Sequence, residues 1–265
     1  MSTAVCDSPK KIICLTEESV ETLALLGELR RVVGVSIFVR RPVEATRLPK
    51  VSAFTDSKVD TIVELAPDLV LGFSDIQKDI ARELIGLGLN VWIANHRTVP
   101  EIFAYVLQLA RLVDRAPVAL ELIADWQSKI EELRSRPRKF RPRVYFEEWD
   151  APMISAIAWV SELIEICGGE NIFAERAKSS LAQGRFCQDD EVIERDPDLI
   201  IACWCGKRAR LDSIRARPGW QEVRAVQTGM VVELPAEIFL QPGPALFVDG
   251  LRILSDLLER VPPRP

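Results

Sequence analysis

The apolar positions of this chain fall into two kinds of pattern that alternate along its length. Short continuous runs such as Ile12-Ile13-Cys14-Leu15, Leu69-Val70-Leu71 and Leu199-Ile200-Ile201 suit strands covered on both faces. Between them lie stretches of helical spacing. Val20, Leu23, Leu26 and Leu29 predict a helix after a strand over residues 11–15, with Thr16 as its cap and Glu17 and Glu18 in its first turn. A strand over 31–36 follows, then a long loop over 37–57 rich in Arg, Pro and small residues, then a helix over 76–86 and a strand over 90–95. This βαβ rhythm predicts a mainly parallel sheet. Residues 99–113 and 117–133 read as two helices with no strand signal between. The second half resumes with a strand over 143–147, helical character through 155–168, a helix near 211–217, a strand over 230–233 and a final helix from about 244 to 260. The expected architecture is α/β: a lobe over 8–115, a connecting helix over 116–138 and a second lobe over 139–265.

One twelve-residue pattern occurs twice, 130 positions apart. Asp60, Glu64, Pro67, Asp68 and Leu69 recur as Asp190, Glu194, Pro197, Asp198 and Leu199, and four more positions exchange one aliphatic residue for another. Each copy reads as a short helix stopped by proline, then a buried strand. Asp60 and Asp190 stand where a carboxylate caps a helix. The repeat implies two halves with one plan.

Composition narrows the function classes. The chain has 265 residues, 48% hydrophobic, with a net charge of -5 and scattered basic residues. That balance fits a globular chain with no nucleic-acid footprint. No apolar run is long enough to span a bilayer, and the first ten residues carry no apolar core for an export signal. As written the chain is expected in the cytoplasm; a trimmed start would place it in the periplasm. Six cysteines (Cys6, Cys14, Cys167, Cys187, Cys203, Cys205) fit reduced thiols. In an extended strand Cys203 and Cys205 would share a face as a soft metal half-site, but four ligands are needed and the chain has one histidine.

In doubly wound sheets ligands bind beyond the carboxyl ends of the strands. The loops there hold Phe38, Phe54, Phe73, Trp149, Trp204 and Phe239, a concentration in a chain with 7% aromatic residues. They favour a planar apolar ligand. His96 follows a predicted strand and is a candidate axial ligand to a bound metal macrocycle. Glu147, Glu148 and Asp150 offer an alternative acid–base cluster, and a cleft cysteine an alternative nucleophile. Arg40, Arg41, Arg208 and Arg210 would suit an anionic iron chelate.

Four segments carry a family resemblance: Val144-Tyr145-Phe146-Glu147-Glu148-Trp149-Asp150, the run from Trp159 to Phe173 with its Gly168-Gly169-Glu170-Asn171, the two Pro-Asp-Leu strands, and Gln241-Pro242-Gly243-Pro244. Through them the chain resembles the cobalamin-type periplasmic solute-binding proteins of ABC importers, in the group with a rigid helical connector. The resemblance implies two α/β lobes with a ligand between them, no catalysis, and a corrinoid as ligand rather than an intrinsic cofactor. Iron-siderophore or haem binding is the neighbouring alternative. It implies ligand contacts at Phe38, Arg41, Phe54, Glu237, Phe239 and Gln241. It also implies that Asp60 and Asp190 meet arginines of an importer permease. A monomer without nucleic-acid or membrane partners is expected.

Overall fold

A computed structural model describes residues 8–264. Cys6, expected as a reduced thiol, lies outside the described residues. The chain divides into two compact units. One comprises the residues up to His96 with Pro100–Ala124, the other Arg97–Val99 with Asp125–Pro265, so the division falls inside the helix Ala116–Ser135. Among the described residues no helix is long and apolar enough to cross a membrane.

The first unit is built on β1 (Ile12–Cys14), β2 (Val32–Ser36), β3 (Lys50–Ser52), β4 (Leu69–Phe73) and β5 (Val91–Ala94). They form a parallel sheet in the order β3-β2-β1-β4-β5. Parallel pairing requires crossovers, supplied by helices Glu17–Leu25, Val59–Glu64 and Lys78–Gly86 and, between β2 and β3, by the loop with the 3₁₀ turn Val43–Arg47. The chain starts in the middle, winds out to β3 and returns to β4, so the strand order reverses between β1 and β4. Ile12, Ile13 and Leu15 are wholly buried, as a central strand covered on both faces demands. Ile13, Leu15, Val51, Ile62, Val70 and Leu84 make one core on the side of helices Val59–Glu64 and Lys78–Gly86.

The second unit has β6 (Arg143–Asp150), β7 (Met153–Ser155), β8 (Glu170–Asn171), β9 (Leu199–Ala202) and β10 (Val231–Glu233) in the order β10-β9-β6-β7, with β8 also on β6. All pairings are parallel except β6 with β7. The helix Ala158–Ile166 ends in a Schellman turn: Gly169 N–H donates to Ile164 O at 2.8 Å and Gly168 N–H to Glu165 O at 3.0 Å. Gly168 has φ +86, and a β-carbon there would collide with Arg138. The Gly168-Gly169 pair is thus a backbone requirement.

The repeat is real in three dimensions, with one role changed. The two copies form helices Val59–Glu64 and Asp189–Arg195, followed by β4 and β9. Ala66 and Asp196, just before the matching prolines, both have positive φ. Asp60 and Asp190 are not caps. Both occupy the second helical position and are exposed. The cap of the second helix is Gln188, in a reciprocal box with Glu191. Instead the repeated Asp68 and Asp198 fasten strands. Asp68 Oδ2 accepts the backbone N–H groups of Lys10 (2.6 Å) and Lys11 (2.9 Å), at the entry to β1. Asp198 Oδ2 accepts that of Arg143 (2.8 Å), at the entry to β6.

Other expectations need correction. Thr16 makes no side-chain cap bond; its Oγ1 donates to Glu18 Oε1 at 2.5 Å. The loop over 37–57 contains a 3₁₀ turn (Val43–Arg47) and β3, whose lone inward apolar residue, Val51, is too brief a signal to read. The strand expected to stop at Glu147 runs on to Asp150 and returns as β7, because Ala151-Pro152 turns the chain. The final helix starts with a wide π turn, Leu246–Gly250, where Gly250 lets Ile238 and Phe239 approach. Cys203 is buried and Cys205 exposed, since the strand ends at Ala202; they share no face.

Candidate functional site

The loops beyond the carboxyl ends of the first unit's sheet carry four of the expected ligand residues, Phe38, Arg41, Phe54 and His96, and Phe73 ends β4. Phe38 and Phe54 are half-buried. Phe54 is held through its backbone. Gln77, fully buried, donates from Nε2 to Phe54 O at 3.1 Å and accepts on Oε1 from Phe73 N–H at 2.9 Å. One amide side chain therefore ties the Phe54 loop to the end of β4, a role the sequence did not disclose. Arg41 is engaged with Glu21: its Nε and Nη2 donate to Oε1 at 3.2 and 3.0 Å. Arg40 Nη1 donates to Ile37 O at 3.0 Å.

Phe73 and His96 are interior residues. His96 is 4% exposed, stacks on Tyr105 at 4.1 Å and meets the edge of Phe73 at 5.1 Å. It touches one end of a shallow concavity of about 280 Å³ with Trp92, Asn95, Glu101 and Gln108. His96 is thus nearly buried and packed against Tyr105 and Phe73 in the first unit. Glu18, in the first turn of the helix Glu17–Leu25, is buried, and burial pushes its carboxyl up to about 8 despite the Thr16 hydroxyl bond.

In the second unit the acid–base trio is dispersed. Successive strand residues point to opposite faces, so Glu147 and Glu148 part company. Glu147 is wholly buried. Its Oε2 accepts from Arg217 Nη1 (2.6 Å) and the Tyr145 hydroxyl (3.0 Å). Its Oε1 accepts from Arg217 Nη2 (3.0 Å) and Trp204 Nε1 (3.1 Å). Both oxygens are consumed, which is the condition for burying a carboxylate. Glu148 pairs with Arg185; burial nevertheless leaves its carboxyl above the usual range. Asp150 meets Lys207 Nζ at 2.6 Å. Burial alone would raise its carboxyl, but the Lys207 bond and its own backbone hold it below the ordinary value. Burial also drives the Cys203 thiol well above its ordinary pKa, the opposite of an activated nucleophile.

The aromatic residues divide in the same way. Trp204 and Phe239 are interior; the Phe239 carbonyl accepts from Trp159 Nε1 at 2.9 Å. Trp149 is half-buried, its Nε1 donating to Ala151 O at 3.0 Å. Glu237 is exposed, and Gln241, buried, donates from Nε2 to Glu237 O at 2.5 Å. Arg208 and Arg210 are exposed. Among the described residues no group of three or more His, Cys, Asp or Glu side chains is placed to hold a metal ion. The residues that sequence reading missed, Gln77, Arg185, Lys207 and Arg217, have partners 23 to 70 positions away. No local spacing announces them.

Comparison with known proteins places this architecture. A family described as periplasmic binding protein matches residues 12–238. A vitamin B12-binding protein of Pectobacterium atrosepticum is 25% identical over 268 residues, covering 98% of this chain and 92% of its own length. The crystal structure of the periplasmic vitamin B12-binding protein BtuF of Vibrio cholerae superposes with a TM-score of 0.76 at 22% identity, covering 95% of this chain and 97% of that one. A periplasmic heme-binding protein from Pseudomonas aeruginosa gives 0.79 at 17% identity, over 97% and 95%. With the family match spanning both units, the chain belongs to the periplasmic binding protein family.

Proposed function

We propose that this chain is a non-catalytic binding protein for a corrinoid, delivering it to the permease of an ABC importer from the periplasm. The near end-to-end match with a vitamin B12-binding relative carries the reading. The side chains fit it in kind. Phe38 and Phe54 offer half-buried aromatic side chains on loops at the carboxyl ends of the strands, suited to a flat apolar macrocycle, and Trp149, near the end of β6, offers a third whose ring carries Lys207. Glu237 supplies an exposed polar contact. Phe73, His96, Trp204, Phe239 and Gln241 support these loops from within, and Arg41 is positioned by Glu21. Non-catalytic action is supported by the closed hydrogen bonding of Glu147 and by the burial that raises the Cys203 thiol above its ordinary pKa.

The test is thermal unfolding with cobalamin and cobinamide, and in parallel with haem and a ferric siderophore. A ligand at one hundred times its Kd stabilises the folded form by about 2.7 kcal/mol. A saturable rise in Tm with a corrinoid supports the proposal. No shift with either corrinoid at saturating concentration overturns it, and a shift with haem alone would move the assignment to tetrapyrroles.

A further inference from the structure

Lys207 occupies an unusual place in the second unit. It follows β9 by five residues, on a turn in which Gly206 has φ +72. That turn folds the lysine back over the end of the sheet. Its Nζ lies 3.8 Å from the centroid of the Trp149 ring, 4.8 Å from that of Trp204 and 2.6 Å from Asp150 Oδ1. Two indole faces and one carboxylate converge on a single ammonium. This is the chemistry by which proteins select organic cations: ring quadrupoles attract the charge and a carboxylate neutralises it.

We propose that the corner formed by Trp149, Trp204 and Asp150 is a subsite for an organic ammonium group, with Lys207 as its tethered resident. Three observations carry this beyond a chance surface contact. First, the rings are held in place independently of Lys207. Trp149 Nε1 donates to Ala151 O at 3.0 Å and Trp204 Nε1 to the buried Glu147 at 3.1 Å, so each ring's N–H is already satisfied and its face is what it offers. Second, Trp204 is 2% exposed yet Lys207 reaches its face, so the corner is recessed rather than flat. Third, the Lys207 side chain is 39% exposed, whereas Asp150 is 15% exposed, so the resident lysine has more access to water than the carboxylate it pairs with. Arg210 is also near enough to Asp150 to help keep it ionised, though it is not over either ring. An incoming ammonium must displace a lysine whose tether gives it a high effective concentration. The natural ligand group is therefore one that outdoes a primary ammonium on an aromatic face. A methylated ammonium does so, because it gives up less hydration.

The inference shares Trp149 with the corrinoid reading but does not rest on it, and it is tested apart from it. The probe is tetramethylammonium chloride, with sodium chloride at equal ionic strength and neutral tert-butanol as controls, followed by saturation-transfer NMR and tryptophan fluorescence. In Lys207→Ala, saturable tetramethylammonium binding at least tenfold tighter than in wild type is expected, with no response to tert-butanol. Adding Trp149→Ala or Asp150→Asn should abolish it. Lys207→Gln keeps most of the side-chain stem and serves if the alanine variant unfolds. A folded Lys207→Ala or Lys207→Gln protein with no saturable response overturns the proposal, as does a response that survives the loss of Trp149. Lys207 would then be a latch that only fastens its loop.

Discussion

At the scale of single residues, two buried carboxylates behave in opposite ways because their partners differ. Glu147 is neutralised by the guanidinium of Arg217 and bonded by Tyr145 and Trp204. Removing Arg217 leaves that charge buried with hydroxyl and indole donors only. Arg217→Met is therefore expected to cost about 3–5 kcal/mol in urea unfolding, the usual penalty for breaking a buried pair on one side. Glu147→Gln with Arg217→Met should recover part of the loss, since no buried charge remains; equal losses in both would show that packing, not charge, dominates. Glu18 instead has no cation bonded to it among the described residues. It is surrounded by the Thr16 hydroxyl, by Glu17, and by Tyr105 and Cys14 within electrostatic reach. Folded, it keeps its proton to about pH 8; unfolded, it releases it near the ordinary value of 4.5. The folded state thus binds more protons in that window, and stability falls as pH rises through it. Glu18→Gln should remove this slope, leaving a protein that gains Tm over wild type as pH rises from 5 to 9. A variant whose Tm tracks wild type across that range would refute the assignment.

Elements are fastened by the repeat, and the two copies differ in depth. Asp68 is exposed, and its carboxyl is held below the usual range chiefly by the N–H groups of Lys11 and Lys10. Asp198 is 1% exposed and also binds Arg264 Nε at 2.8 Å. Asp198→Ala should therefore cost about 3 kcal/mol or more, because it strands a buried N–H and uncovers an arginine pairing. Asp68→Ala should cost clearly less, since water reaches Lys10 and Lys11. Chemical denaturation of both checks the order. This pair also marks what the chain discloses. Continuous runs such as Ile12–Cys14 and Leu199–Ala202 reveal strands because full burial leaves no polar alternative. The fold class, the repeat and the mainly parallel pairing were legible on that account. The brief β3, the return of β7 and the wide turn at Leu246–Gly250 were not, since each is too short to carry a periodic signal of its own. The aromatic loop positions could likewise be named in advance, whereas which rings stay open could not. Trp149 and Trp204 look alike in sequence, and only the Glu147 network pulls one of them inward.

For the whole molecule, the repeat sets Asp60 and Asp190 at the same position of matching helices, one in each unit, both exposed. Asp190 Oδ1 accepts Glu191 N–H at 3.0 Å. A carboxylate in a first helical turn contributes about 0.3–1 kcal/mol through the helix dipole, so local stability gives it a small role at most. Docking against permease arginines would instead make both residues matter where stability is indifferent. Asp60→Lys and Asp190→Lys are expected to lower Tm only slightly and to leave corrinoid affinity unchanged. Together they should abolish corrinoid uptake by cells that depend on this protein, with each single change giving a partial loss. In purified components, binding of the wild-type chain to its permease should weaken as salt rises, because exposed charge pairs are screened within about 8–10 Å. The double variant should have lost that salt dependence along with its affinity. Unimpaired uptake by the double variant would assign the repeated aspartates to their helices alone, and would place the transporter contact on some other surface of each unit.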